Sequence, residues 1–226
     1  MKTYPLEFRW LGTVPYSEGE HLQVELATEV RESGKGVILG LEHDPVITLG
    51  IRGNSKEDLL SEEKDIRGEG IHVIKVKRGG QAILHSPGQL VIYLILPIRD
   101  WQLGPKLLVC LLERATTDLL SSYGIEVIHG KKEPGLFTPR GKIAFFGLRI
   151  NRGISSHGLS LNVSNDLRLF RHIRSCGHTD QPLDAMVFQG VTDKIPELFA
   201  SWCGYFERRL RGGSRSALLD PLPISS

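Results

Sequence analysis

Residues 142–163 read KIAFFGLRINRGISSHGLSLNV. Two apolar, β-rich runs flank Asn151, Arg152 and Gly153, a tripeptide with turn chemistry, and the stretch predicts an antiparallel hairpin. Lys142 opens the first strand. A lysine at a strand start is ordinarily solvated, and it gains chemical meaning only if its ammonium points inward. His157 and Gly158 sit early in the second strand, where a lone histidine is more often satisfied structure than catalyst.

The surrounding sequence fits an α+β chain built around this hairpin. QLVIYLIL (89–96) is a continuous apolar run and predicts a central strand. IHVIKVK (71–77) alternates with period two, as a half-buried strand does. VILGLEHDPVITLG (37–50) predicts two short strands broken at His43, Asp44 and Pro45. The polar run at 55–70 predicts one short helix. Ser17 and Glu20 form an S-x-x-E capping pattern ahead of Leu22, Leu26 and Val30, with Gly34 as the stop. Pro105 opens a second helix through Leu107, Leu108, Leu111, Leu112 and Leu120, closed by Gly124. Ile195, Leu198, Phe199, Trp202 and Phe206 mark a third, with Pro196 in its first turn. This order predicts one domain, over residues 1–211, with much antiparallel pairing and a loose tail at 212–226.

The chain has 226 residues, ample for a sizeable core, and a net charge of +2, too small to argue for a nucleic-acid partner. Glu7 and Arg9 interrupt the N-terminus where a signal peptide needs an apolar run, and the longest apolar runs are too short to span a bilayer. Three cysteines cannot all pair, which suggests reduced thiols in the cytoplasm. Cys110 and Cys203 lie in apolar helices and are expected as buried fillers. Cys176 differs, lying in the loop-like RSCGH (174–178). A nearby cation lowers a thiol pKa, and a following glycine lets a substrate approach the backbone. Local composition alone nevertheless favours an exposed loop thiol.

RGGQAILHSPGQL (78–90) is dense in special residues. Gly79 and Gly80 free backbone N–H groups to face an anion or carbonyl, and Pro87 and Gly88 make a turn. The plain alternative is a hairpin with a wide glycine loop. Cys176 and His178 lack a second close pair to complete a metal site, and neither common nucleotide-binding loop is present, so no metal or cofactor is expected.

Taken together, EHDPVITLG, RGGQAILHSPGQ, KIAFFGLRI with SSHGLSLNV, and SCG resemble the lipoate-protein ligase B family in order and spacing over roughly residues 10–180. The resemblance implies the biotin/lipoate protein ligase fold, a mixed, mostly antiparallel sheet flanked by helices. It implies an octanoyltransferase that moves an octanoyl group from acyl carrier protein to a lysine of lipoyl domains, the first step of lipoate biosynthesis. The acceptors would be the lipoyl domains of 2-oxoacid dehydrogenase complexes and the glycine cleavage H protein. By motif, Cys176 resembles the acyl-thioester nucleophile and Lys142 the lysine that works beside it. Arg78, Gly79, Gly80, Gln81, Ala82, Ile83, Leu84 and His85 would line the acyl site, with Phe145, Phe146 and Gly147, and with Gly158, Leu159 and Ser160. Phe145 and Phe146 point to opposite faces of a strand, so only one can line the slot.

The chain departs from the family in three places. Ile83, Leu84, His85 and Ser86 stand where the family usually has Thr-Tyr-His-Gly. Ser175 replaces a frequent proline before the cysteine, and Phe145 occupies a position that is usually small. These changes bear on slot shape and chain length. An electrostatic patch of Lys131, Lys132, Arg140, Arg171 and Arg174 is expected to steer an acidic carrier protein. Two rival readings share the scaffold: an ATP-dependent lipoate or biotin ligase, which needs no nucleophilic cysteine, and a non-catalytic acyl- or lipoyl-domain-binding module.

Overall fold

The computed structural model describes residues 4–130, 135–175 and 181–212. A seven-stranded sheet runs in the order β1 (Leu6–Thr13), β2 (Gly36–Glu42), β6 (Gln89–Ile95), β10 (Ile154–Asn162), β9 (Gly141–Asn151), β8 (Gly135–Thr138) and β7 (Ile128–His129). The predicted hairpin is there: β9 and β10 pair antiparallel from Ile154 opposite Asn151 to Leu161 opposite Ala144. A smaller sheet has the order β4 (His72–Lys75), β3 (Val46–Leu49) and β5 (Ala82–His85). The β1–β2 and β3–β4 pairs are parallel and the remaining ladders antiparallel.

β6 reads as a continuous apolar run because both its faces are covered. Leu90, Ile92 and Leu94 turn to the helices α4 (Pro105–Ser122) and α5 (Ile195–Gly212). Val91, Tyr93 and Ile95 turn to the opposite face, where Leu26 and Val30 of α1 (Tyr16–Ser33) pack. The α4–α5 layer is anchored by Trp202, fully buried, whose indole N–H donates to Thr116 Oγ1 at 3.0 Å.

Several expectations change. The helix α1 begins at Tyr16 with Pro15 at its cap, and neither Ser17 nor Glu20 forms a capping box; the first free N–H groups bond Pro15 O instead. Tyr16 is drawn into the helix because its ring is buried 5.0 Å from that of His43. The polar run at 55–70 makes two short helices, α2 (Ser55–Asp58) and α3 (Glu63–Gly68). Residues 78–90 are not a wide hairpin, because β5 and β6 belong to different sheets. The strands β1, β7 and β8 were not legible. The first is a half-buried edge carrying Glu7 and Arg9, which pair with each other, and the other two are short. Cys203 is buried as expected, whereas Cys110 is only half-buried. The helix α5 extends through Gly212, and residues 213–226 lie outside the described residues.

Candidate active site

Lys142 is fully buried, which meets the condition that gives a strand lysine chemical meaning. Its Nζ lies 5.3 Å from the ring centroid of Phe137 and 5.1 Å from that of Phe145, so two aromatic faces receive the cation. Space for the stem comes from Gly135 on the neighbouring strand. A Cβ there would stand 2.7 Å from Lys142 Cε. The main chain of Lys142 is clamped by residues 182–184: its N–H donates to Pro182 O (2.8 Å) and its C=O accepts from the N–H of Asp184 (3.0 Å). Asp184, itself fully buried, accepts from Thr138 Oγ1 and Gln189 Nε2, both at 2.6 Å, and holds this segment against the sheet.

Cys176 lies outside the described residues, as do Lys131 and Lys132. The described residues on either side of segment 176–180 are anchored at the same place in the fold. Ser175 bridges to Ala82 at the start of β5, and Pro182 to Lys142 on β9.

Between β5, β9 and β10 runs a narrow slot. Ile83, His85, Phe145, Gly147, Gly158 and Ser160 line it, with Val91 and Tyr93 from β6 as its floor. Gly147 lets the loop at 78–80 lie against β9: a Cβ there would sit 3.2 Å from Gly79 O. That loop is braced by Arg78, whose guanidinium donates to Thr48 Oγ1 and O and to Gln81 O, while Gly79 N–H bonds Leu148 O. The slot has a volume of ≈ 20 Å³, enough for one water.

The end of the slot remote from Lys142 is polar. His43 Nδ1 meets Val14 O at 2.6 Å, and a carbonyl only accepts, so Nδ1 carries the proton; Nε2 then accepts from Tyr93 Oη at 2.7 Å. His85 Nδ1 meets Gln89 Oε1 at 2.7 Å, and Gln89 Nε2 donates to Asn162 Oδ1. His157 holds φ +55° in the left-handed region, and its N–H donates to Gln23 Oε1. Burial pushes His43 down to about 4 and His157 to about 3, and it lowers His85 as well.

These depressed values make stability pH-dependent. The folded state holds His43 neutral, whereas the unfolded chain protonates it near 6.5. Its contribution is complete above pH 6.5 and is lost as pH falls toward 4, at a cost of roughly 2 kcal/mol by pH 5 for His43 alone. Urea unfolding at pH 7 and pH 5, above the carboxylate range, is expected to show this loss. A flat profile would mean that the histidines are not buried as neutral groups.

The structure thus gathers Lys142, Arg78, Ile83, His85, Phe145, Gly147, Gly158 and Ser160 about one slot, with Gly79, Gly80 and Gln81 in the loop at its rim. Ala82 does not line the slot and bridges to Ser175. Phe146 falls on the opposite face of the sheet, against the α4–α5 core, and Leu159 sends its side chain there too. Leu84 packs beneath the small sheet with Ile47 and Phe170. Phe145 lines the slot and stacks on Phe170 (centroids 5.7 Å apart), with Lys142 Nζ 5.1 Å from its ring centroid. Arg140 is paired with Asp184 and Arg171 with Glu69, which weakens the expected cationic patch. Tyr16, His43 and Tyr93 were not among the expected site residues. His43 lay inside EHDPVITLG and Tyr16 inside LGTVPYSEGEHLQ (11–23), a stretch that also resembles the family's opening, whereas Tyr93 lay in none of these motifs.

The mixed sheets flanked by helices have the lipoate/biotin protein ligase fold. Solved structures share it. The bipartite lipoate protein ligase of Thermoplasma acidophilum, analysed with its lipoyl domain, superposes with TM-score 0.70 at 16% identity, covering 92% of this chain and 84% of that one. The biotin protein ligase of Leishmania major, in complex with biotin, gives 0.59 at 13%, covering 94% and 78%. Residues 15–195 match the lipoyl protein ligase A/B catalytic domain, and the chain belongs to that family. Among its relatives, the octanoyltransferase of Pseudomonas aeruginosa is 36% identical over 92% of this chain and 96% of its own. That of Solibacter usitatus is 38% identical over 88% and 90%.

Proposed function

We infer that the protein is an octanoyltransferase that carries its acyl group on Cys176. Thiolate attack on the thioester of octanoyl-acyl carrier protein forms a new C–S bond and expels the carrier thiolate, which takes up a proton. Exchange between thioesters is nearly thermoneutral, so acyl-Cys176 keeps its activation. The ε-amine of a lipoyl-domain lysine then forms the C–N bond, the C–S bond to Cys176 breaks, and the amine proton is passed on. Lys142 favours the thiolate as a neighbouring cation in the first step and takes part in proton transfer in the second. The N–H of Gly80 in the glycine loop is a candidate oxyanion donor, that of Gly79 being taken by Leu148 O. Acceptors on this reading are lipoyl domains of 2-oxoacid dehydrogenase complexes and the glycine cleavage H protein. A reactive thiol of this kind suits the reduced cytoplasm, and residues 1–211 form the catalytic unit.

The observation that supports the reading is that the described flanks of segment 176–180 pack against elements that form the slot: Ser175 bridges to Ala82, next to Ile83 on β5, and Leu183 to Lys142, whose Nζ lies 5.1 Å from the Phe145 ring. The names of the relatives agree with it. An ATP-dependent ligase would share the fold, and the donor separates the two. The protein is to be incubated with a lipoyl domain and either octanoyl-acyl carrier protein or octanoate plus ATP, and the domain weighed by mass spectrometry. One octanoyl group is expected from the carrier donor without ATP. Modification only with octanoate and ATP would overturn the reading.

A further inference from the structure

The slot and a larger cavity beside it share one lining side chain. Tyr16 lines the slot and also lines a second, outer cavity of ≈ 760 Å³ bounded by Pro45, Arg67, Ile71 and His72. Its ring stacks on His85 (centroids 6.2 Å apart, 20° between planes) and tilts against His43. Tyr16 is only 5% exposed, and its buried Oη faces Tyr93.

Along β5 the slot is lined by Ile83 and His85, and the Tyr16 ring stacks on His85 at one end of that pair.

We propose that Tyr16 is the specificity-determining stop of the acyl slot, its ring closing the passage into the outer cavity and its buried hydroxyl disfavouring any methylene pressed against it. This rests on the acyl-transfer reading above. A longer chain must displace the buried ring together with its hydroxyl, and methylenes offer that polar group no hydrogen bond in return. With the ring removed, the extra methylenes run on into the outer cavity, where each adds up to about fourfold in binding.

The test is competition between octanoyl and dodecanoyl carrier protein for Cys176, read by intact mass on wild type, Tyr16→Ala and Tyr16→Phe. Tyr16→Ala is expected to raise the dodecanoyl-to-octanoyl ratio tenfold or more. Tyr16→Phe keeps the ring and loses the hydroxyl, so a smaller rise, two- to fivefold and greatest for decanoyl, is expected. If Tyr16→Ala does not fold, Tyr16→Leu reads the same ratio. Phe145→Ala, at the Lys142 end, is expected to lower the melting point without a comparable shift in ratio. A folded Tyr16→Ala or Tyr16→Leu that takes octanoyl with the wild-type ratio overturns the stop, as does a shift produced by Phe145→Ala alone. Wild-type protein that takes no octanoyl at all overturns the acyl-transfer reading and the stop with it.

Discussion

Cys176→Ala is expected to take up no octanoyl from the carrier protein and to transfer none to a lipoyl domain, a loss of about three orders of magnitude or more. The size follows from the chemistry: without the thiol there is no covalent intermediate, and direct aminolysis must bring two proteins to one thioester at once. The wild-type adduct should be released by neutral hydroxylamine, as a thioester is. Cys176→Ser sharpens the test, because an octanoyl group trapped there is an oxygen ester and should resist the same treatment. Intact mass of the three proteins after one incubation decides the matter. A hydroxylamine-labile octanoyl group persisting on Cys176→Ala would place the nucleophile elsewhere. The other two cysteines are poor candidates, since burial raises both the Cys110 and the Cys203 thiols.

Lys142→Met carries the second large effect. Methionine keeps an unbranched apolar stem between Phe137 and Phe145 and removes the charge, so the fold should persist while catalysis falls. Loss of a positioned proton-transfer group costs roughly 10²–10⁴ in rate. Loss of the neighbouring cation should also move the alkylation of Cys176 to higher pH, because less thiolate is present near neutrality. Alkylation is to be read at Cys176 by peptide mapping from pH 6 to 9, beside a thermal melt. An unchanged alkylation profile in a folded variant would show that Lys142 does not tune the thiol. An unchanged transfer rate would remove it from the reaction.

Both effects depend on a lysine that local sequence alone treats as solvated. Position 142 opens a strand, where a charged residue normally faces water. What buries it is the return of residues 182–184 along β9, forty residues later, together with the absence of a side chain at Gly135. Phe145 and Phe146 show the same dependence. Strand periodicity requires them to diverge, but only the layering of the small sheet over one face and of α4 and α5 over the other assigns Phe145 to the slot and Phe146 to the core.

The sequence by itself determined the secondary structure with the strongest periodicity: the β9–β10 hairpin, the central β6 and the three long helices. Their apolar spacing and turn residues act over a few neighbours, so they are legible in a linear chain. Its motifs also determined the family, because four short stretches in a set order are specific together. Tertiary structure decided the rest. The edge strand β1 is held by its pairing with β2 rather than by its own alternation. The separation of β5 from β6 into two sheets, and the meeting of Tyr16, His43, His85, Tyr93 and His157 at one end of the slot, join residues up to 141 positions apart. Such contacts form only when layers close over one another, and the low dielectric inside them, not the local sequence, makes a histidine neutral there and a buried lysine the centre of a site.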